Sequence, residues 1–458
     1  MGTQSNKKAA LELGTKPVGK LLVQYALPAI VAMVASSLYN MVDSIFIGQG
    51  VGALAISGLA ITFPFMNLSA AFGAAIGVGS SAFLSVKLGQ RDYDIANRIL
   101  GNCVMLNIII GVLLGGVGLL FIDPILRFFG ASDATLPYAR EYMIVILLGN
   151  AITHLYLGLN AVMRSAGKPR VAMYITIFTV LINAILDPLF IYTLHLGIKG
   201  AAYATILSQT MALMWQWKLF GDKKEFLHFD YSKFRVEMPI VRNIIGIGIS
   251  PFAMNACACL VVIFINNSLM QYGGDMAVGA YGIANRVCFV FVMVTMGVCQ
   301  GMQPIAGYNY GAENYYRMFE VLRLAVIAGT AVCAVGFFIA MLLPRECVSL
   351  FTSDAELTEK SVVAMRYNMA LFLIIGAQMV ITNFFQSIGK AKVSIFLSLS
   401  RQMLILVPLI AILPPFLGLD GIWLALPVSD GIAAVMAYVM LWIYVRKFRR
   451  IHIDKYNG

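Results

Sequence analysis

Uninterrupted apolar runs, each long enough to cross a bilayer, recur from one end of the chain to the other. Leu21–Phe46, Asn102–Ile122, Tyr142–Met163, Ala325–Leu343 and Ile422–Val445 are examples. A helix of about 20 such residues spans a hydrocarbon core of about 30 Å. A membrane β-barrel instead alternates apolar and polar residues in segments of about ten, and these runs do not alternate. Composition agrees: 60% of the 458 residues are hydrophobic and 12% are charged, against about 25% charged in a soluble domain. The reading is an all-α polytopic membrane protein. About twelve spans fit, at roughly 21–48, 54–86, 98–121, 138–163, 171–195, 200–220, 243–272, 279–308, 319–343, 362–388, 393–416 and 420–445, because each run reaches the length a crossing needs.

The formal charge of +11 raises the question of a nucleic-acid partner. Its distribution argues against one, because no basic stripe with interleaved aromatics stands outside the spans. Lys and Arg concentrate instead in alternate connections, as the positive-inside rule requires. Lys87, Arg91 and Arg98, then Arg164, Lys168 and Arg170, the 218–242 segment, Arg317 and Arg323, Lys390 and Lys392, and the tail from Arg446 share one side with the lysine-bearing N-terminus. The opposite connections hold Arg127, Arg140, Lys199, Arg345, Lys360 and Arg366. Both termini are therefore expected in the cytoplasm, with the protein in the cell inner (cytoplasmic) membrane. No short apolar core with a small-residue cleavage site follows the N-terminus, so the first helix is expected to stay as an anchor. Seven cysteines form no CxxC pair and four histidines are scattered, which argues for packing roles and against a zinc site.

The charged segment 221–242 divides the chain, and the two sides repeat one another. GQRDY (Gly89–Tyr93) matches GAENY (Gly311–Tyr315), RSAGKPRVA (Arg164–Ala172) matches QSIGKAKVS (Gln386–Ser394), and Pro28 matches Pro251, always 222 or 223 residues apart. Expected domains are an N-terminal six-helix lobe at 1–220 with a polar start at 1–20, a cytoplasmic linker at 221–242, and a C-terminal six-helix lobe at 243–458 with a basic tail. An even number of spans per half makes the repeats parallel, with a central cleft between the lobes as the expected substrate route.

A charge in the bilayer core costs at least about 2.5–3.5 kcal/mol, so an acid inside a span is a functional candidate by default. Asp43 and Asp187 are the clearest. Asn40 precedes Asp43 by three residues and Asn183 precedes Asp187 by four, spacings that put each pair on one helix face. Two carboxylates at close quarters cannot both ionise cheaply, so such a pair can hold a proton. With amide and hydroxyl oxygens added, the same atoms suit Na⁺. The alternative is that both acids cap helix ends at the membrane boundary, with Pro188 freeing a backbone carbonyl beside Asp187.

The Pro28…Asp43 first helix, NAVMRSAGKPR (Asn160–Arg170), NAILDP (Asn183–Pro188) and GAAYAT (Gly200–Thr205) together resemble the multidrug and toxic compound extrusion (MATE) family over nearly all of 15–445. The resemblance implies two six-helix lobes and antiport of hydrophobic, mostly cationic compounds against H⁺ or Na⁺. It places Asp43, Asn183, Asp187 and Thr205 in a cation-binding cluster, with Asn160 beside it, and makes Pro28 the point where the first helix bends. The C-terminal half departs from the NorM-like branch. Asn266 stands at the repeat-equivalent of Asp43, Pro408 near that of Asp187, and spans seven and ten lack the expected acids. That favours the DinF- and MepA-like branches and argues against a C-lobe Na⁺ site. Arg286 and Arg401 are the charges noted there, and Arg401 is expected to pair with a helix end, the alternative being that it repels or positions cations.

Expected partners are the lipid bilayer and small hydrophobic or cationic substrates, with a monomeric chain and no cofactor beyond the coupling ion. Phe252, Met254, Phe289, Phe291, Met293, Met296 and Met302 offer adaptable apolar surface without locating a pocket. A lipid-linked precursor flippase of the same superfamily is the nearest alternative, but it calls for a strongly cationic cleft. A membrane enzyme would show a nucleophile with its base or an HExxH run, and neither is present.

Overall fold

A computed structural model describes residues 12–51, 53–351 and 354–451. Among them every regular element is helical. The apolar runs become α1 (Val18–Gly50), α2 (Ala53–Gly89) and α3 (Tyr93–Leu120). They are followed by α4 (Leu136–Leu148) and α5 (Asn150–Ser165), α6 (Pro169–Pro188) and α7 (Ile198–Phe220). The second half runs through α8 (Met238–Gly274), α9 (Met276–Gly311) and α10 (Tyr315–Leu342). It continues with α11 (Ala355–Asn368), α12 (Phe372–Ser387), α13 (Ala391–Leu399) and α14 (Leu419–Ile451).

Nine described helices are long and apolar enough to cross a membrane, and the pairs α4/α5 and α11/α12, bent by 56° and 50°, raise this to eleven. Two spans expected as single helices, 138–163 and 362–388, are thus broken. Gly149 and the turn at Ala370 mark the breaks. Between α8 and α9 the chain stays helical on both sides of Gly274, whose φ of +65° only glycine adopts without strain. α6 and α13 each run on into a π-helical stretch, Leu189–Thr193 and Ser400–Leu406.

The chain forms two compact units. Val31–Phe252 make up the first; Lys16–Ile30, with the chain from Ala253 onward, make up the second. Each unit therefore takes the opening part of a helix from the other half of the sequence. In both units that borrowed segment packs through small residues. In the first, a Cβ on Gly79 would meet the Ile244 carbonyl oxygen at 2.1 Å, and one on Gly248 would meet that of Ala75 at 2.2 Å. In the second, Gly301 lies against the Ala26 backbone at 2.5 Å and Gly297 against that of Ile30 at 2.8 Å by the same measure. Backbones meet this closely where glycine and alanine replace larger side chains at a helix interface.

The charged segment after α7 is docked on the first unit. Asn97 donates to the Phe226 carbonyl at 3.1 Å and accepts from the His228 N–H at 3.0 Å. The Asn102 side chain accepts from the Glu237 N–H at 2.8 Å. Lys168 pairs with Glu225 at 2.8 Å and Lys233 with Asp94 at 2.7 Å, while Arg98 pairs with Glu237. Phe229 fills the gap between Trp217 and Phe220. The result is a strap fixed along α3 and α7 rather than a loose tether.

Candidate functional site

α6 supplies the polar wall of the first unit. Thr176, Thr179, Asn183 and Asp187 follow at intervals of three and four residues and are all buried, while Tyr174, Leu181 and Ile185 on the same helix are more than half exposed. An intramembrane helix that turns hydroxyls, an amide and a carboxyl inward and apolar residues outward needs partners for the inner face. α1 provides Asp43, which is 5% exposed, and α7 provides Thr205 and Ser208.

The two acids meet. The side chains of Asp43 and Asp187 approach one another across α1 and α6, near enough to interact electrostatically. The other neighbour of Asp187 is Asn183, one turn earlier on α6. In the orientation that gives both ends of the amide a partner, its nitrogen donates to Asp187 Oδ2 at 2.8 Å and its oxygen accepts from the Thr205 N–H at 3.2 Å. Asp187 is fully buried and Asn183 is 1% exposed. Asp43 Oδ1 is buried and accepts from no donor among the described residues. The acids that cap helix N-termini are elsewhere: Asp92 accepts from the Ile95 N–H and Asp354 from that of Leu357.

Asp43, Thr176, Thr179 and Thr205 face a cavity of about 290 Å³ within this unit. Among the described residues Asp43 is the single charged residue of its lining. Phe63, Phe65, Met66, Tyr142 and Tyr156 supply apolar and aromatic wall, and Asn67, Thr153 and Gln209 supply further polar groups. The site combines one acidic corner with a greasy, adaptable surround, the mixture that suits a hydrophobic cation.

Four of the five residues expected in the cluster, Asp43, Asn183, Asp187 and Thr205, are brought together. Asn160 is buried, but its polar atoms are engaged elsewhere. Its nitrogen donates to the Ala172 carbonyl at 3.1 Å and to Thr176 at 3.3 Å, and its oxygen accepts from Arg164. It ties α5 to the start of α6. Pro28 lies inside α1, and the side chain of Asn40 falls outside those described. As donors for Na⁺ the residues facing one another offer two carboxyls and the Thr205 hydroxyl, with the Asn183 oxygen turned away toward the α7 backbone. That set is sparse for a sodium ion and sufficient for a proton.

Two features went unread in the sequence. Ser69 donates to Asn150 at 2.9 Å and lies 3.3 Å from Nε2 of the fully buried His154, a polar knot on the cavity wall that no spacing announced. In the second unit Arg401 pairs with Asp430 of α14 at 2.7 Å rather than with a helix end. Asp430 is an acid inside an apolar run and was legible by the rule that singled out Asp43. The aromatic and methionine residues noted in spans seven to ten do not gather. Met302 is fully buried, Phe289 is about half exposed, Phe291 packs on Phe372, and Phe252 packs on Phe72.

Comparison with known proteins places this arrangement. The MatE family pattern matches residues 28–189 and again 251–412, one copy in each half. The chain is 26% identical over 436 residues to the multidrug export protein MepA of Staphylococcus haemolyticus, covering 95% of each chain. It superposes with a TM-score of 0.89 and 25% identity on the outward-facing conformation of a multidrug resistance MATE family transporter of the MOP superfamily, over 95% of this chain and 97% of that one. At the same TM-score and identity it matches a MOP superfamily transporter from Pyrococcus furiosus, over 96% and 98% of the two chains, whose binding pocket is described as of reverse polarity and suggestive of a different function. The expected fold of about twelve transmembrane helices in two six-helix lobes holds, and the chain belongs to the MatE family, a membrane transporter rather than an enzyme.

Proposed function

We propose that the protein is a multidrug efflux antiporter of the cell membrane, with both termini in the cytoplasm, that exports hydrophobic, mostly cationic compounds in exchange for H⁺ or Na⁺. The observation that carries this reading is the approach of Asp43 and Asp187, on separate helices, beside a cavity with no other charged residue among those described. Neutralising the pair with a proton or small cation removes a like-charge penalty in a low-dielectric site. Displacing that ion leaves a negative corner that a cationic drug can complete. Drug and coupling ion then compete for Asp43, and competition is sufficient to couple their movements, because only a ligand with different affinity for two states shifts between them. The turned-away Asn183 oxygen, which leaves few oxygen ligands for a metal ion, supports H⁺ as the ion. The name of the staphylococcal relative, a multidrug export protein, supports the substrate class.

A flippase for a pyrophosphate-linked lipid would need basic residues where this cavity has an aspartate, and the acidic lining disfavours it. The test uses everted vesicles carrying the full chain. Asp43→Asn is expected to abolish ethidium accumulation driven by either imposed ΔpH or ΔpNa while protein levels in the membrane stay at those of wild type. Coupled uptake by that variant at the wild-type rate overturns the scheme, and the gradient that drives the wild type identifies the ion.

A further inference from the structure

The second unit holds a charged pair that the exchange scheme leaves unused. Arg401 stands near the start of the π-helical stretch Ser400–Leu406, and its Nε donates to Asp430 Oδ1 at 2.7 Å. The Asp430 side chain is 7% accessible, whereas a third of Arg401 remains so. A guanidinium that only braces a fold against a carboxylate favours the two-bond fork. Here one bond is made, by Nε, and neither Nη group donates to an acceptor among the described residues. π-Helical stretches also recur at functional sites because the widened turn re-aims side chains.

The internal repeat says where this fork stands. Gly167 and Gly389, 222 residues apart, both take positive φ, +88° and +75°; in that register Arg401 corresponds to Thr179. Gly197 and Gly418, 221 residues apart, share φ of 58° with ψ of −139° and −138°; in that register Asp430 corresponds to Gln209. Thr179 and Gln209 both line the cavity of the first unit. The pair thus stands at the repeat counterparts of two cavity-lining residues, with charge in place of a hydroxyl and an amide. Tyr281 and Cys288, seven residues apart on one face of α9, lie within electrostatic range of it.

We infer that Arg401, held by Asp430, is a binding site for a carboxylate on the transported molecule, so that the second unit recognises carboxylate-bearing amphiphiles while the first recognises cations. The carboxylate takes the two Nη groups, Asp430 keeps Nε, and the guanidinium lies between two anions. This rests on the transporter reading, but not on the Asp43/Asp187 exchange scheme.

The experiment is equilibrium binding of the fluorescent acid 1-pyrenebutyrate and of its methyl ester to the full-length protein in nanodiscs, with empty nanodiscs subtracted. Wild type is expected to bind the acid at least about tenfold more tightly than the ester. The double variant Arg401→Gln/Asp430→Asn removes both charges together, so neither is left buried alone, and is expected to bring the two affinities together. Arg401→Lys keeps a cation beside Asp430 but not the fork, and is expected to lose most of the preference. Asp43→Asn is expected to keep the preference in full even where coupled transport is lost, which separates a failure of this site from a failure of the exchange scheme. Equal binding of acid and ester by wild type, or an undiminished preference in either Arg401 variant, overturns the inference.

Discussion

Asn160 and Asn183 are buried amides of the same unit that do different work, and their contacts predict different losses. Asn160 satisfies Arg164, Ala172 and Thr176 at the turn between α5 and α6. Its replacement by alanine strands those groups, at a cost of about 1–3 kcal/mol. Asn160→Ala is therefore expected to lower the thermal unfolding midpoint in detergent while the protein that remains folded keeps its ion-driven transport. Among the described residues Asn183 meets Asp187 and Thr205, so Asn183→Ala is expected to cut ion-driven dye uptake about tenfold or more, because it removes the donor that holds one acid of the pair. Measuring midpoint and uptake for both variants checks the contrast; equal transport losses would contradict it. How much of this site the sequence disclosed follows from what spacing can carry. The four-residue step from Asn183 to Asp187 is local and legible. The meeting of Asp43 with Asp187 joins residues far apart in the chain and rested on resemblance to a family. Asp430 obeys the same rule as Asp43, but its partner Arg401 sits on another helix and nothing local in the sequence links them.

The elements that need explaining are the two helices that change unit partway along. α1 passes from the second unit to the first after Ile30, and α8 passes from the first to the second after Phe252. Pro28 and Pro251 stand within two residues of those points. A proline inside a helix removes one N–H, clashes with the carbonyl four residues earlier and costs about 3 kcal/mol, so both helices are weakest where their allegiance changes. If α1 bends at Pro28 during transport, Pro28→Ala is expected to slow dye export severalfold while leaving the thermal midpoint unchanged or higher. Wild-type export rates in that variant would make the proline a static kink. The repeat of Pro28 and Pro251 could be read in the sequence; the passage between units could not, since it depends on which helix each segment packs against. The same holds for the breaks within the fourth and tenth spans. Neither carries a proline at its bend, and apolar residues continue through Gly149 and Ala370, so the hydropathy pattern does not register a turn of 56° or 50°.

At the scale of the whole molecule, the exchange of helix segments means that neither half of the sequence encodes a complete unit. A fragment ending in the strap, 1–223, lacks the 238–252 segment whose Ile244 and Gly248 pack against Gly79 and Ala75. It would leave a seam of small residues open along α2, where close backbone packing is the main source of cohesion between helices in lipid. The complementary fragment 224–458 lacks Lys16–Ile30 and leaves Gly297 and Gly301 uncovered in the same way. Each fragment expressed alone is expected to be degraded, and the two expressed together are expected to restore both membrane levels and dye export. A longer fragment, 1–254, carries its own copy of the missing segment and is expected to accumulate severalfold above 1–223, read by immunoblot of washed membranes. Equal accumulation of 1–223 and 1–254 would mean that the borrowed segment adds nothing to the first unit. The strap sharpens the comparison, because its ion pairs with Arg98, Lys168 and Asp94 are present in 1–254 and absent from 1–223. Replacing Gly248 by valine in 1–254 separates the two contributions. It leaves the strap in place but forces the Ala75 carbonyl away, and it is expected to bring accumulation between the levels of 1–223 and 1–254.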